Sequence, residues 1–252
     1  MARKKGGGGG RQRARQRAQY DELDKYPVMP PHAFARIVRD KQTLNIIYQI
    51  IEPPLTKKEQ EQRDEIMDIF IRSLTANIEE IDSNPEAYVR TAMDKVIKSY
   101  SMKINKKSKS KLFYYLRRDL IGYGKMDVLM NDVNVEDISL DGTNVPIFAY
   151  HRKFESVETT CVWPTDEELE SYVIKLAQRC GKHISVAEPL LDATLMDGSR
   201  IVMKLGHEIS TRGSAFCIRR FKDDPFSPAD IVAFRTMSCL LYTSDAADDV
   251  AS

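Results

Sequence analysis

The chain has 252 residues, of which 42% are hydrophobic and 30% are charged, and its net charge is +1. This length accommodates one large or two small domains with a substantial core. No run of about eighteen apolar residues and no signal-peptide core is present, which argues against a membrane-spanning or exported chain.

The first segment, residues 1–18, is a basic glycine-rich tail. It contains seven basic side chains and no acid, so the net charge of the remainder is −6. Five consecutive glycines bury nothing and have high backbone entropy, which predicts disorder. Such a tail can contact anionic lipid or nucleic acid, and the simpler interpretation is a solvated extension.

Residues 19–121 are predicted to be a mostly helical N-terminal region with one short strand at 43–52. Thr56 and Glu59 form a capping box, in which each side chain bonds a free backbone N–H of the other, and this begins a helix. A second helix begins near Asn84 and Pro85. A basic cluster at 103–118 then leads into a further helix, interpreted as a charged loop rather than as a nucleic-acid surface.

Residues 122–221 are predicted to form an α+β domain with an antiparallel sheet. Strands are expected at 136–140, 145–151, 156–163, 193–195, 201–205 and 215–221. The clearest helix begins at the capping residue Thr165 and ends at Gly181, whose lack of a side chain suits a left-handed cap. Hairpins around one helix favour an α+β fold over a doubly wound one.

The segment 188–221 is rich in arginine. Asp197 and Gly198 predict a tight turn, and Arg200 follows it. Arg212 lies in a second polar break, and Arg219 ends the last apolar run. Arginines fixed on short strands are suited to contacting phosphate oxygens, because the guanidinium is a planar, permanently charged fork of donors. The nearby Asp192 and Asp197 are interpreted as turn and capping residues.

Cysteine and histidine spacing indicates no metal site. The four cysteines are Cys161, Cys180, Cys217 and Cys239, and no two form a C-x-x-C pair. Tetrahedral zinc sites need such close ligand pairs. Cys180 and Cys217 lie in apolar patterns and are predicted to be buried thiols, a cysteine usage typical of a reducing compartment. His151 is predicted to be a surface residue after a strand.

Four blocks of sequence resemble the N-terminal domain of the type II/IV secretion system ATPase superfamily, and its archaeal branch in particular. These blocks are YYLRRDLIGYGKMDVLM (Tyr114–Met130), VEDISLDGTNVPIFAYHRKF (Val135–Phe154), VIKLAQRCGKHISVAEPLLDATLMDGSRI (Val173–Ile201) and STRGSAFCIRRFKDDPFSP (Ser210–Pro228). YQIIEPPLT (Tyr48–Thr56) resembles a segment further upstream in the same branch. The resemblance covers residues 43 to 237.

The resemblance implies a PAS-like N-terminal domain of a hexameric motor ATPase that drives secretion or the assembly of type IV pilus-like or archaellum filaments. It implies ATP and Mg²⁺ as cofactors of the full-length protein, and a RecA-like motor domain, neighbouring subunits and a polytopic membrane platform protein as partners. The protein would be cytoplasmic and peripheral on the inner face of the membrane. Arg200, Arg219 and Arg212, in that order, would reach the nucleotide phosphates as catalytic arginines.

The phosphate-binding loop G-x-x-x-x-G-K-[ST] of this superfamily is missing from the chain. Gly181-Lys182-His183 has Leu176 in place of the first glycine and His183 in place of the Mg²⁺-binding Ser or Thr. The fragment alone is therefore expected to bind no cofactor and to be inactive. Residues 222–238 are predicted to be the interdomain linker and the start of the motor domain. Residues 239–252 resemble a translated sequencing adapter, so the natural frame is expected to continue past Met237.

Two alternatives to the ATPase fragment remain open at the level of the sequence. The first is a stand-alone PAS-like interaction module without ATPase activity. The second is a nucleic-acid-binding protein acting through the two basic clusters, which would require strongly salt-dependent binding. The near-neutral net charge argues against specific nucleic-acid binding.

Overall fold

The computed structural model describes residues 19–73, 84–207, 210–221 and 232–233. Within these residues the chain is an α+β protein with a nine-stranded sheet and five α-helices. The chain divides into the units Met1–Arg220 and Phe221–Ser252, and all elements below belong to the first unit. The basic tail, residues 222–231 and 234–238 of the predicted linker and motor-domain start, and the adapter-like segment lie outside the described residues, so the predictions for them stay predictions.

The sheet consists of three-stranded antiparallel meanders, whose strands are β1 (Tyr20–Met29), β2 (Ala33–Asp40), β3 (Ile46–Ile51), β4 (Val135–Leu140), β5 (Pro146–His151), β6 (Glu155–Val162), β7 (Leu190–Thr194), β8 (Arg200–Lys204) and β9 (Ala215–Arg219). Their spatial order is β1-β2-β3-β6-β5-β4-β9-β8-β7. β3 and β6 pair in parallel, with Ile47 opposite Glu158 and Tyr48 opposite Thr159. The nine-stranded sheet as a whole is therefore mixed, whereas every strand pair within 122–221 is antiparallel, as predicted for that domain.

β1 and β2 are additional to the single strand that the sequence predicts before the helices. β1 is an edge strand with four charged side chains, and register shifts interrupt it twice. Charges and bulges protect an edge against unwanted pairing, and they also remove the clean alternation by which a strand is recognised. β2 buries two small residues, Ala33 and Ala35, which give a weak apolar signal.

Three helices pack together beside the sheet, namely α1 (Lys57–Ser73), α2 (Pro85–Ser99) and α3 (Lys106–Leu120). The predicted capping box is confirmed, because Thr56 N donates to Glu59 Oε2 at 2.8 Å and Glu59 N to Thr56 Oγ1 at 3.3 Å. The predicted start of α2 is also confirmed, since Asn84 Oδ1 accepts from Ala87 N at 3.1 Å. These caps satisfy backbone donors that no intrahelical bond uses.

α4 (Asp127–Asn131) and α5 (Asp166–Arg179) complete the α-helices of the described chain, and a short 3-10 helix (Gly124–Met126) precedes α4. As predicted, Thr165 caps α5 by accepting from Glu168 N at 3.3 Å, and Gly181 follows the helix at φ +66°. The inner stripe of α5 lies in the same core as Ile201, Met203 and Ile218. α5 therefore covers one face of the β7–β9 meander, and the opposite face of these strands carries exposed residues.

A buried polar network joins the first and second meanders. The Asp132 carboxylate is 1% exposed, and the hydroxyls of Tyr26 and Tyr48 both donate to its Oδ2 at 2.6 Å. Lys153 N donates to Nδ1 of His151, which leaves Nε2 to donate to the Tyr26 hydroxyl at 3.0 Å. His151 is 2% exposed, so the prediction of a surface histidine is wrong. Burial lowers its pKa and favours the neutral ring.

Candidate functional site

The β7–β9 meander presents its arginines on the face of the sheet opposite α5. In β8 the buried residues Ile201 and Met203 alternate with the exposed residues Arg200, Val202 and Lys204. Arg219 of β9 lies directly opposite Arg200 in the strand register. Because side chains along a strand alternate with a period of two, both arginines are on this uncovered face. The structure thus places the first two predicted site residues opposite each other on neighbouring strands.

Asp192 of β7 holds the Arg200 guanidinium. Nε donates to Asp192 Oδ1 at 3.1 Å and Nη2 to Oδ2 at 2.6 Å, which is a bidentate pair. The hydrogen bonds from Arg200 lower the pKa of Asp192, and those to Asp192 raise the pKa of Arg200, so both groups stay charged. The Arg200 side chain nevertheless remains 71% exposed. Its Nε–Nη2 edge is fixed by Asp192, and the other edge of the guanidinium is accessible.

Arg200 lines a cavity of about 600 Å³ together with Cys180, Lys182, Asp192, Ala193 and Thr194. This volume is within the range of small-molecule sites, about 300–1,000 Å³. Two side chains of the cavity are cationic and one is anionic, so the lining has a net positive charge. A cavity of this kind favours a small anion with several oxygen acceptors.

Arg219 points away from that cavity. Its Nε donates to Asp137 Oδ1 of β4 at 3.3 Å, and its side chain is 82% exposed. Arg200 pairs with an acid on β7 and Arg219 with an acid on β4, which are the strands on opposite sides of the β8–β9 pair. Like charges directly opposite each other repel, and this divergent pairing relieves the repulsion. Arg219 would have to leave Asp137 to share a ligand with Arg200.

Arg212 lies before the start of β9, at the end opposite Arg219. β9 has five residues, so the two ends of this strand alone are separated by roughly 13 Å at about 3.3 Å per residue. The carbonyl of Arg212 accepts from Thr143 N at 3.3 Å. The same loop places His207 Nε2 at 3.2 Å from Asp166 Oδ2. The structure separates Arg212 from the other two predicted arginines.

The acids of the segment have different roles. Asp197 is a turn residue, as predicted, because its Oδ1 accepts from Ser199 N at 3.1 Å while Gly198 adopts φ +83°. Asp192 belongs to neither a turn nor a cap, and the prediction for it is wrong. It lies within β7, diagonal to Arg200 across the β7–β8 register. Sequence reasoning also missed Lys182, whose only local signal is its position after the helix-ending Gly181.

The cysteines divide between burial and exposure. Cys161 is buried and Cys180 partly buried, but Cys217 is exposed, so the prediction of two buried thiols is wrong for Cys217. Strict alternation in β9 buries its neighbours Phe216 and Ile218 instead.

In the part of the chain that the structure describes, no group of three or more His, Cys, Asp or Glu could hold a metal ion. No helix among the same residues is long and apolar enough to cross a membrane.

A second cavity, of about 620 Å³, lies between α3 and α5 beside the aromatic rings of Trp163 and Tyr172. Its cations already have partners. Arg118 donates to Glu52 at 2.7 and 2.9 Å, and Lys175 donates to the carbonyl of Asp119 at 2.7 Å. The Arg118 side chain is only 12% exposed in its pair with Glu52, against 71% for Arg200, which makes this cavity a weaker candidate for an anion.

No protein-family model matches the chain. Three proteins of Methanocaldococcus jannaschii are similar to it in sequence. Uncharacterized protein MJ1288 is 41% identical over 65% of this chain and 65% of its own length. Uncharacterized protein MJ0900 is 30% identical over 85% of this chain and 38% of its own, and uncharacterized protein MJ0781 is 33% identical over 50% and 17%. The chain spans less than two thirds of the length of each of these relatives.

Among solved structures, the chain has a distant likeness to the VirB11 ATPase of the Brucella suis type IV secretion system, which was crystallised in complex with sulphate. The TM-score is 0.37 at 16% sequence identity, over 50% of this chain and 43% of that one.

Proposed function

We propose that the chain is the N-terminal portion of a type II/IV secretion superfamily ATPase, in which Arg200 contacts the phosphates of ATP. The observation that carries the proposal is the placement of Arg200, which is oriented by Asp192 and faces a cavity lined by a second cation. Guanidinium groups held in this way match the geometry of phosphate oxygens.

The four resembling blocks give the proposal its second support. Where the structure describes them, they form one continuous stretch of the sheet and its adjoining helices: the end of α3 with α4, the β4–β5 hairpin, α5 with β7 and β8, and β9. β4 of this hairpin pairs with β9, and β9 pairs in turn with β8. Blocks that resemble one family in the same order and also pack together are what a shared domain requires, whereas scattered blocks would suggest chance similarity.

Arg200 would stabilise the negative charge that develops on the oxygens of the transferred phosphoryl group, in the manner of an arginine finger. Asp192 would keep the guanidinium in place before the nucleotide arrives, so that little reorganisation is needed. Arg219 is a secondary contact that would first have to release Asp137. Arg212 has a more remote role, because its backbone supports the β4–β5 turn.

The phosphates are the part of ATP that fits the described residues, since the cavity offers cations and a hydroxyl. In the proposal, the phosphate-binding loop and the Mg²⁺ site belong to a motor domain that follows residue 237. Hinge motion between the domains would bring Arg200 to the phosphates and convert hydrolysis into rotation. A homohexamer at the cytoplasmic face of the membrane would pass that rotation to a polytopic platform protein.

The first test is to sequence the source locus through the codon for Met237. A reading frame that reaches G-x-x-x-x-G-K-[ST] downstream is the expected result, and a frame that ends at Ser252 would remove the ATPase proposal.

In the full-length protein, Arg200→Ala is expected to lower ATP turnover by at least about tenfold, since arginine fingers contribute orders of magnitude. Arg152→Ala is the matched control, because Arg152 is an exposed arginine that pairs with Glu136 and is not among the residues that line the cavity. Equal turnover of the two variants would exclude Arg200 from the site.

A further inference from the structure

The Arg200 cavity contains a second cation whose position is set by the end of α5. Gly181 adopts φ +66°, and Lys182 N donates to the carbonyl of Ala177 at 3.1 Å, which closes the helix. The chain then turns so that Lys182 Nζ donates to the carbonyl of Asp192 at 2.7 Å. Asp192 therefore contacts both cations, Lys182 through its backbone and Arg200 through its carboxylate.

These contacts leave donors available on both side chains. Arg200 uses Nε and one N–H of Nη2 for Asp192, and its Nη1 has no part in that pair. Lys182 uses one of its ammonium protons for the carbonyl of Asp192. Both side chains line the same cavity. A phosphoryl group has several acceptor oxygens and can accept from two such cations at once.

We propose that Lys182 and Arg200 together bind one phosphoryl oxyanion in this cavity, with Asp192 as the group that positions both. This inference rests on the proposed function and adds a second phosphate-binding residue to it. A simpler role for Lys182 is to satisfy the Asp192 carbonyl at an edge strand. The two roles differ in one measurable respect, because only the first makes anion affinity depend on the ammonium charge.

The chain has a natural reporter of the cavity. Cys180 lines it, whereas Cys217 is exposed on β9 and is not among the lining residues. An anion seated between Lys182 and Arg200 should slow the alkylation of Cys180 and leave that of Cys217 unchanged. The probe is inorganic pyrophosphate, titrated at constant ionic strength with N-ethylmaleimide as the alkylating reagent. The rate at each cysteine is measured by mass spectrometry of the full 252-residue chain.

The variants are Lys182→Gln, Arg200→Gln and the control Lys204→Gln. Lys204 is exposed on the same strand as Arg200 and outside the cavity lining. Lys182→Gln is expected to weaken protection of Cys180 by about fivefold or more, because a charge-assisted contact is lost at a partly exposed site. Arg200→Gln should weaken it at least as much, and Lys204→Gln should not change it. Thermal unfolding of each variant verifies that the fold is intact.

The other outcomes separate the two claims. If Arg200→Gln abolishes protection and Lys182→Gln matches the unmodified chain, the inference about Lys182 is overturned while the proposed function stands. If Lys182→Gln weakens protection and Arg200→Gln does not, the joint site is overturned and Arg200 loses its proposed role. No protection of Cys180, equal slowing at Cys217, or an equal effect of Lys204→Gln would overturn the phosphoryl site.

Discussion

The buried tyrosine–aspartate network provides the sharpest stability prediction. Tyr48→Phe removes one hydroxyl that donates to Asp132 Oδ2 at 2.6 Å and changes little else, since Tyr48 is fully buried. A hydrogen bond to a charged group contributes about 1.5–3 kcal/mol. The Tyr26 hydroxyl still donates to the same oxygen, and Asn134 N donates to Oδ1 at 2.9 Å. We therefore expect a loss of about 2 kcal/mol in the free energy of unfolding.

Urea unfolding followed by tryptophan fluorescence measures this loss. The chain has one tryptophan, Trp163, which is 2% exposed and lies 4.8 Å from the ring of Tyr172 between centroids. Its emission therefore reports the main core. The corresponding fall in Tm is about 4–8 °C, given about 2–4 °C per kcal/mol for a chain of this size. Tyr150→Phe is the matched control, because Tyr150 is 44% exposed on β5 and should change stability by less than about 0.5 kcal/mol.

A Tyr48→Phe variant as stable as the Tyr150→Phe control would refute this reasoning. It would mean that the Asp132 carboxylate gains nothing from its second hydroxyl. A double-mutant cycle with Tyr26→Phe strengthens the test, because both hydroxyls share one oxygen atom. We expect the double variant to lose more stability than the sum of the single variants, since Oδ2 would then be buried without either donor.

Two further predictions concern a capping carboxylate and a crowded glycine. Bonds from Thr56 N and Ser108 lower the pKa of Glu59 from 4.5 to about 2. Its stabilising contribution is therefore present above pH 4.5 and is lost as the pH falls toward about 2. The stability advantage of the native chain over Glu59→Gln should shrink over that interval, and parallel pH curves would contradict this. Gly142→Ala should destabilise by about 3 kcal/mol, because its Cβ would lie 2.3 Å from the Arg212 carbonyl oxygen at φ +128°. Gly181→Ala, also at positive φ but with no atom within 4 Å of the new Cβ, should cost only about 1 kcal/mol, and equal losses would show that steric contact is unimportant.

Much of the local structure could be predicted because the signals that determine it span only a few residues. The Thr56–Glu59 box, the Asn84 cap and the Gly181 helix end each involve atoms within one helical turn. The Asp197–Gly198 turn and the alternation of β8 are equally local. Alternation places Arg200 on an exposed face without knowledge of any other strand, and the same rule applied to β9 would have exposed Cys217.

The candidate site could be predicted only in part, because its other members come from distant positions. Asp192 contacts Arg200 through the β7–β8 register, and Lys182 reaches the cavity from the end of α5. Neither residue lies in a sequence motif that would predict its place in the cavity. The burial of His151 likewise depends on distant residues. Tyr26 lies more than a hundred residues before it in the sequence, and Asp132 lies nearly twenty residues before it.

By itself the sequence determined the α+β class, the helix caps, the turns and the arginines that alternation exposes. Only the tertiary structure decided the order of the nine described strands, including the parallel β3–β6 junction and the edge strand β1. It also decided that Arg200 and Arg219 diverge toward Asp192 and Asp137. The physical reason is range: caps and turns are satisfied by neighbours along the chain, whereas sheet register and ion pairing depend on which distant strands come together.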